Sequence, residues 1–233
     1  MQAATIVGAS TAVTGAIQLA AARRGIDFAY LYAQARVESR FDPNAAARTS
    51  SARGLFQFTA STWLDMVRRH GAEVGLADAA AALRGGADPA TRAAVLDLRR
   101  DPQLSADLAA AFAADNRTRL EAGLGRAATA TDLYCAHFMG AAGALKFLRA
   151  RAVDPTAPAA GLFPAAARAN HAVFFASDGT ARSFEAIYDR FAARLNGNSV
   201  PPTGNFLPVQ VAAVAPAASA ARLAYLSLAT LGG

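Results

Sequence analysis

Residues 27–58, DFAYLYAQARVESRFDPNAAARTSSARGLFQF, predict a helix, its exit turn and a tight loop. One stripe of this helix and its exit carries residues at spacings of three and four: Phe28, Leu31, Ala35, Glu38 and Phe41. Apolar surroundings disfavour an ionised carboxyl group, so Glu38 could keep a proton near neutral pH and act as a general acid. The alternative interpretation is a glutamate at a helix end in water.

The rest of the composition indicates an all-α protein. The chain has 233 residues, 54% hydrophobic and 17% charged, which suits a globular protein with a sizeable core. Val, Ile and Thr rarely alternate with polar residues, so strands have little support. The net charge of +6 comes almost wholly from scattered arginines, without the dense basic run of a nucleic-acid-binding surface. We therefore expect no nucleic-acid partner.

The few metal-binding residue types argue against a metal or a cofactor. Cys135 is the single cysteine, and the three histidines form no HExxH pattern. We expect Cys135 to be a small core residue.

Helix boundaries can be predicted from local signals. Gly25 should end a first helix, and Asp27 should cap the helix that carries Glu38. Asp88 and Asp101 each precede a proline and should cap further helices. The amino terminus lacks the basic region of a usual signal peptide.

Further helices are expected beyond residue 130. Thr131 and Asp132 open the segment TDLYCAHFMGAAGALKFL, in which Tyr134, His137 and Phe138 share a side. Its glycines, Gly140 and Gly143, permit a break or close packing. Two amphipathic helices, PAAARANHAVFF and SFEAIYDRFAARLNG, follow.

The chain is predicted to comprise one domain, 1–197, followed by a proline-containing linker and a short apolar segment, 198–233. That last segment is too short to cross a bilayer, and we therefore expect no transmembrane segment here. It could dock on the domain, contact a partner, or fray.

Gln57 is the other polar residue of note in the opening stretch. It lies among Leu55, Phe56 and Phe58, so its amide could face a cleft or could be satisfied by the backbone.

Two motifs resemble the soluble lytic transglycosylase family. They are ESRFDPNA followed by RGLFQFTASTW, and LYCAHFMGAAGA, which is similar to the family's Ala-Tyr-Asn-Ala-Gly motif. The resemblance implies a lysozyme-like, goose-type helical domain. It also implies that Glu38 is the single catalytic acid and base, and that the following residues bind substrate: Ser39, Phe56, Gln57, Tyr134, His137 and Phe138.

The third motif departs from the family pattern. Aligned with Ala-Tyr-Asn-Ala-Gly, it places His137 at the Tyr position and Phe138 at the Asn position. Either His137 or the nearby Tyr134 would then orient the acid.

The activity implied by the resemblance is cleavage of the bond between N-acetylmuramic acid and N-acetylglucosamine, with a 1,6-anhydro product and without a cofactor. The substrate would place the protein in the periplasm or the cell envelope. Two alternatives stay open: a muramidase that uses water and a second acid such as Asp65, and a non-catalytic peptidoglycan-binding or assembly protein.

Overall fold

The computed structural model describes residues 9–197 and confirms an all-α fold for them. Only isolated β-bridges accompany the helices in this part of the chain. The ten α-helices are α1 (Thr11–Arg24), α2 (Phe28–Ser39), α3 (Ala60–His70), α4 (Ala77–Arg84), α5 (Pro89–Asp97), α6 (Pro102–Leu124), α7 (Ala130–Val153), α8 (Pro164–Ala169), α9 (His171–Phe174) and α10 (Phe184–Leu195). None of these described helices is long and apolar enough to span a membrane.

Local capping explains where most helices begin. The Asp27 carboxylate accepts from the Ala29 N–H at 2.8 Å, which confirms its predicted position before α2. The caps predicted at Asp88 and Asp101 are also confirmed, by bonds from the N–H groups of Ala90 and Leu104. Such bonds join residues only two or three positions apart, so the sequence is enough to predict them.

Two helix boundaries differ from the predicted ones. Helix α7 begins at Ala130, one residue before the segment that Thr131 was expected to open, because Thr129 is its cap and the Asp132 side chain accepts from the Thr129 N–H in a capping box. The expected single helix over 164–175 is two short helices, α8 and α9. Asn170 separates them with a non-helical backbone (φ −132°, ψ 55°).

Close packing divides the chain into two units, with the boundary between Asp115 and Asn116 inside α6. The first unit buries an aromatic and aliphatic core: Ile17, Leu31, Leu55, Phe56, Trp63 and Met66. The Trp63 indole Nε1–H donates to the Val95 carbonyl at 2.7 Å and ties α3 to α5.

The second unit is built on α7 and α10, whose facing rings pack together. The Phe147 and Phe184 rings meet edge to face, with centroids 5.2 Å apart. Gly140 interrupts α7 with φ 73° and ψ 157°, a combination that is essentially confined to glycine. The break that the sequence permitted at this glycine is therefore present.

The domain assignment stays a prediction. A single domain over 1–197 was expected, whereas the packing of the described residues divides within α6. The predicted linker and apolar segment, 198–233, lie outside the described residues.

Candidate active site

Glu38 lies in the last turn of α2, where the backbone leaves helical geometry abruptly. Its side chain is partly buried, between the exposed and buried extremes. The next residues, Arg40 and Phe41, have positive φ values of 54° and 67°, and Gln57 has a φ of 47°. In residues 9–197 these are the non-glycine residues with positive φ. Such conformations cost about 1–3 kcal/mol each and concentrate at functional sites.

Ser39 joins the Glu38 helix to the GLFQ turn. Its hydroxyl Oγ lies 2.8 Å from the Leu55 carbonyl oxygen and 3.1 Å from the Ala35 carbonyl oxygen of its own helix. The shorter distance makes Leu55 the better acceptor for the one hydroxyl proton. The residue after Glu38 is thus bonded to the second residue of the turn that contains Gln57.

Glycine is required at the start of this turn. The Gly54 N–H donates to the Ala45 carbonyl at 2.9 Å, and the Gln57 N–H donates back to the Gly54 carbonyl at 3.1 Å. Gly54 has a φ of 81°, and a Cβ at this position would collide with the carbonyl oxygen of Arg99. Both the conformation and the close approach exclude a side chain here.

The backbone satisfies one end of the Gln57 amide. Nε2 donates to the carbonyls of Ala45 at 3.1 Å and Gly54 at 2.9 Å. The sequence left two interpretations of the Gln57 amide open. For its nitrogen, the one with hydrogen bonds to the backbone is correct. The amide oxygen makes no such bond within residues 9–197. Gln57 can consequently offer a ligand an acceptor.

Phe56, the other predicted substrate contact in this turn, is 1% exposed. The structure therefore places its ring in the core of the first unit, and it can act there by supporting the turn. A direct contact with substrate stays a prediction.

Arg99 is a residue of this site that sequence reasoning missed. It is 5% exposed, and its Nη1 donates to the carbonyls of Ser51 at 2.7 Å and Phe58 at 3.2 Å. Its Nε donates to the Leu96 carbonyl at 2.8 Å. Burial, together with the neighbouring Arg53 charge, lowers the pKa of the Arg99 guanidinium from its usual value. No local pattern around Arg99 predicts these contacts, because the loop residues are distant in sequence.

The two aspartates near the motif are both engaged locally. Asp65 accepts from Arg68 at 3.2 Å and from Arg69 at 2.9 Å on its own helix. The Asp42 carboxylate accepts from the Asn44 N–H at 2.8 Å and shapes the exit turn. Neither carboxylate is held in a distinctive position for catalysis.

The third motif lies in the second unit, on α7. Tyr134 and Phe138 are each 3% exposed and pack on Phe191, with centroid distances of 5.3 Å and 5.1 Å. His137 is partly buried, and its ring lies 5.9 Å from that of Tyr134, which confirms the shared side. Their predicted roles toward Glu38 or substrate stay predictions. Cys135 is buried, as expected, and burial raises the pKa of its thiol.

A buried carboxylate holds the start of α7. The Asp132 side chain is fully buried and accepts from Arg126 Nη1 at 2.6 Å, the Thr129 N–H at 2.9 Å and the Tyr188 hydroxyl at 3.0 Å. Burial opposes ionisation, but these hydrogen bonds outweigh it and lower the pKa of Asp132.

The chain matches the model of a known protein family. A family model described as the transglycosylase SLT domain matches residues 15–136, slightly more than half of the chain. The matched range contains Glu38, Ser39, Gln57 and Tyr134, and it ends one residue before His137.

Proposed function

This chain belongs to the transglycosylase SLT family, whose activity is peptidoglycan cleavage in the cell envelope, and on that premise we propose that Glu38 is its single catalytic acid and base. The proposed bond is the β-1,4 linkage between N-acetylmuramic acid and N-acetylglucosamine. The proposed location is the periplasm or the cell envelope, and it is inferred from this substrate.

Glu38 acts twice in the proposed mechanism. As an acid, its carboxyl group donates a proton to the glycosidic oxygen while the bond from that oxygen to muramic C1 breaks. The 2-acetamido group supports the positive charge that develops at C1. The Glu38 carboxylate then removes the proton of the muramic C6 hydroxyl, and O6 bonds to C1 to close a 1,6-anhydro ring. One proton is donated and one is recovered, so no water is consumed.

The observation that carries this proposal is the Ser39–Leu55 hydrogen bond. At 2.8 Å it attaches the helix end that bears Glu38 to the turn that bears Gln57. This bond accounts for the second residue of the ES motif, and it gives Ser39 a positioning role. The Gln57 amide oxygen is then suited to accept from the substrate's acetamido N–H or from a sugar hydroxyl.

The surroundings of Asp65 disfavour a water-using muramidase. Hydrolysing glycosidases generally need two carboxylates, one on each side of the bond. Asp65 is held by two arginines of α3, and Asp42 is bonded into the turn. A single acid that works with the substrate's own C6 hydroxyl needs no second carboxylate.

The remaining predicted residues have supporting roles in this proposal. The roles of Tyr134 and His137 toward the Glu38 carboxyl group stay predictions, and the buried rings of Phe56 and Phe138 stabilise the turn and α7, respectively. A partner in the envelope machinery was predicted for the apolar segment within 198–233, which lies outside the described residues.

The decisive experiment is digestion of purified sacculi in oxygen-labelled water, with the released muropeptides analysed by mass spectrometry. The wild-type protein should release 1,6-anhydro ends without the label. Glu38→Gln should lower the rate by about 1000-fold, because the amide can neither donate nor accept the transferred proton.

The matched control is Asp65→Asn, which should release the same unlabelled products as the wild type. Labelled reducing ends would instead establish a muramidase. Sacculi that bind the protein and release no fragment would establish a binding role.

A further inference from the structure

A buried guanidinium holds the loop of the candidate active site, and within residues 9–197 no carboxylate is hydrogen-bonded to it. Arg99 follows α5 in a short 3-10 turn, Leu98–Arg100, and its hydrogen bonds all go to backbone carbonyls. Burying a cation is costly unless its donors are satisfied, so an exposed position would be the default for arginine. Its burial therefore calls for a specific role.

The Arg99 contacts close the GLFQ turn at both ends. Nη1 donates to the Ser51 carbonyl on one side and to the Phe58 carbonyl on the other, and the six residues between them include Gly54 and Gln57. The Phe58 carbonyl also accepts from the Arg53 N–H at 3.1 Å. The Phe58 carbonyl thus accepts two hydrogen bonds, one from the Arg53 N–H within the turn and one from Arg99 Nη1.

The Arg99 backbone contacts the same turn. Its carbonyl oxygen lies where a side chain at Gly54 would be, so this contact limits how closely the turn can approach the Arg99 backbone. The Nε bond to Leu96 anchors the side chain to its own segment. Arg99 therefore sets both the width of the turn and its distance from α5.

We propose that Arg99 is a positioning residue for substrate, which holds the 51–58 turn so that Gln57 and the Leu55 carbonyl stay in register with Ser39 and Glu38. Its contribution to catalysis rests on the function proposed above. Because Glu38 belongs to α2 and not to this turn, the release of the turn should weaken substrate binding more than it slows the chemical step.

The test compares Arg99→Met and Arg99→Lys with Arg100→Met, in the full chain. Arg100 is the exposed neighbour whose side chain makes no hydrogen bond within the described residues, so its replacement makes the same charge change without touching the turn. On soluble glycan strands, Arg99→Met should lower kcat/KM by about 10–100-fold, mostly through a higher KM. Arg99→Lys should recover part of this loss, and Arg100→Met should match the wild type.

A purely structural role would leave a different signature. It would lower the fraction of folded enzyme and hence the apparent kcat, while KM stayed unchanged. Leu83→Ala, a cavity in the buried face of α4, provides that reference. Arg99 variants that behave like Leu83→Ala, with unchanged KM, would overturn the proposal.

Limited trypsin digestion gives a readout that needs no activity. Arg48 and Arg53 are exposed, and they lie before and within the 51–58 turn. If Arg99→Lys releases this turn, trypsin should cleave faster after both residues in Arg99→Lys and not in Leu83→Ala. Equal cleavage in both variants would also overturn the proposal. If the wild type releases no glycan fragment, the proposed activity fails while the digestion still decides whether Arg99 holds the turn.

Discussion

The 51–58 turn and the start of α7 each depend on one buried charge, and the two charges are opposite. Arg99 is a cation whose donors end on backbone carbonyls. Asp132 is an anion that accepts from a backbone N–H, an arginine and a tyrosine. The first segment carries Gln57, and the second carries Tyr134.

The difference follows from which backbone groups each segment leaves unpaired. An irregular turn directs carbonyl oxygens inward, and a cationic donor satisfies them. A helix start presents free N–H groups and a positive dipole end, which favour an anion. The sign of each buried charge is therefore dictated by the local backbone. Asp132 is also paired with a charged side chain, Arg126.

The largest effect should come from removing the anion. Asp132→Ala deprives the Thr129 N–H and the Tyr188 hydroxyl of their acceptor. It also removes the ion-pair partner of Arg126. We expect the free energy of unfolding to fall by about 4 kcal/mol, in urea titrations followed by circular dichroism.

Ser183→Ala is the matched control in the same unit. Ser183 caps α10 through its hydroxyl, without a buried charge, and its loss should cost about 1 kcal/mol. Equal costs for the two variants would mean that Asp132 acts as an ordinary cap, and the comparison with Arg99 would break down.

The next effect tests the close approach at Arg99. Gly54→Ala should lower the free energy of unfolding by about 3 kcal/mol, because the added Cβ meets the Arg99 carbonyl and φ is 81°. Gly75→Ala has almost the same φ, 80°, but open space around the added atom. It should cost about 1 kcal/mol. Similar losses of unfolding free energy in both variants would show that the Arg99 carbonyl can move away from the added Cβ at little cost.

The smallest effect is a difference in pH dependence. The pKa of Asp132 is lowered on folding, so its stabilisation is complete above the unfolded value of about 3.9 and is lost as the pH falls through the folded value. The difference in unfolding free energy between wild type and Asp132→Asn should therefore be about 2 kcal/mol at pH 7 and shrink toward pH 3.

Arg99 provides the opposite expectation in the same experiment. Arginine stays protonated from pH 3 to pH 7 and methionine does not titrate, so the difference between wild type and Arg99→Met should stay constant over that range. A difference that shrinks in acid would show that the turn depends on a carboxylate and not on Arg99 alone.

Much of the fold was predictable because its signals are local. Asp27, Asp88 and Asp101 bond N–H groups two or three residues away, and Gly25 ends α1 in the left-handed conformation. The two boundaries that differ from the prediction are local as well, since the Thr129 cap lies two residues before the expected start of the segment at Thr131. At Asn170 the backbone leaves helical geometry within an apparently continuous pattern.

The sequence by itself determined the helical class, the family motifs and the choice of Glu38 as the candidate acid. The helical class follows from residue spacing and from bonds within one or two helical turns, and the choice of Glu38 follows from the resemblance of its motif to the family. Only the tertiary structure revealed that the Gln57 nitrogen is used by the loop, and that Arg99 bridges to carbonyls 48 and 41 residues away. A side chain's partner at that separation depends on how the chain packs, and packing leaves no periodic trace around the residue itself.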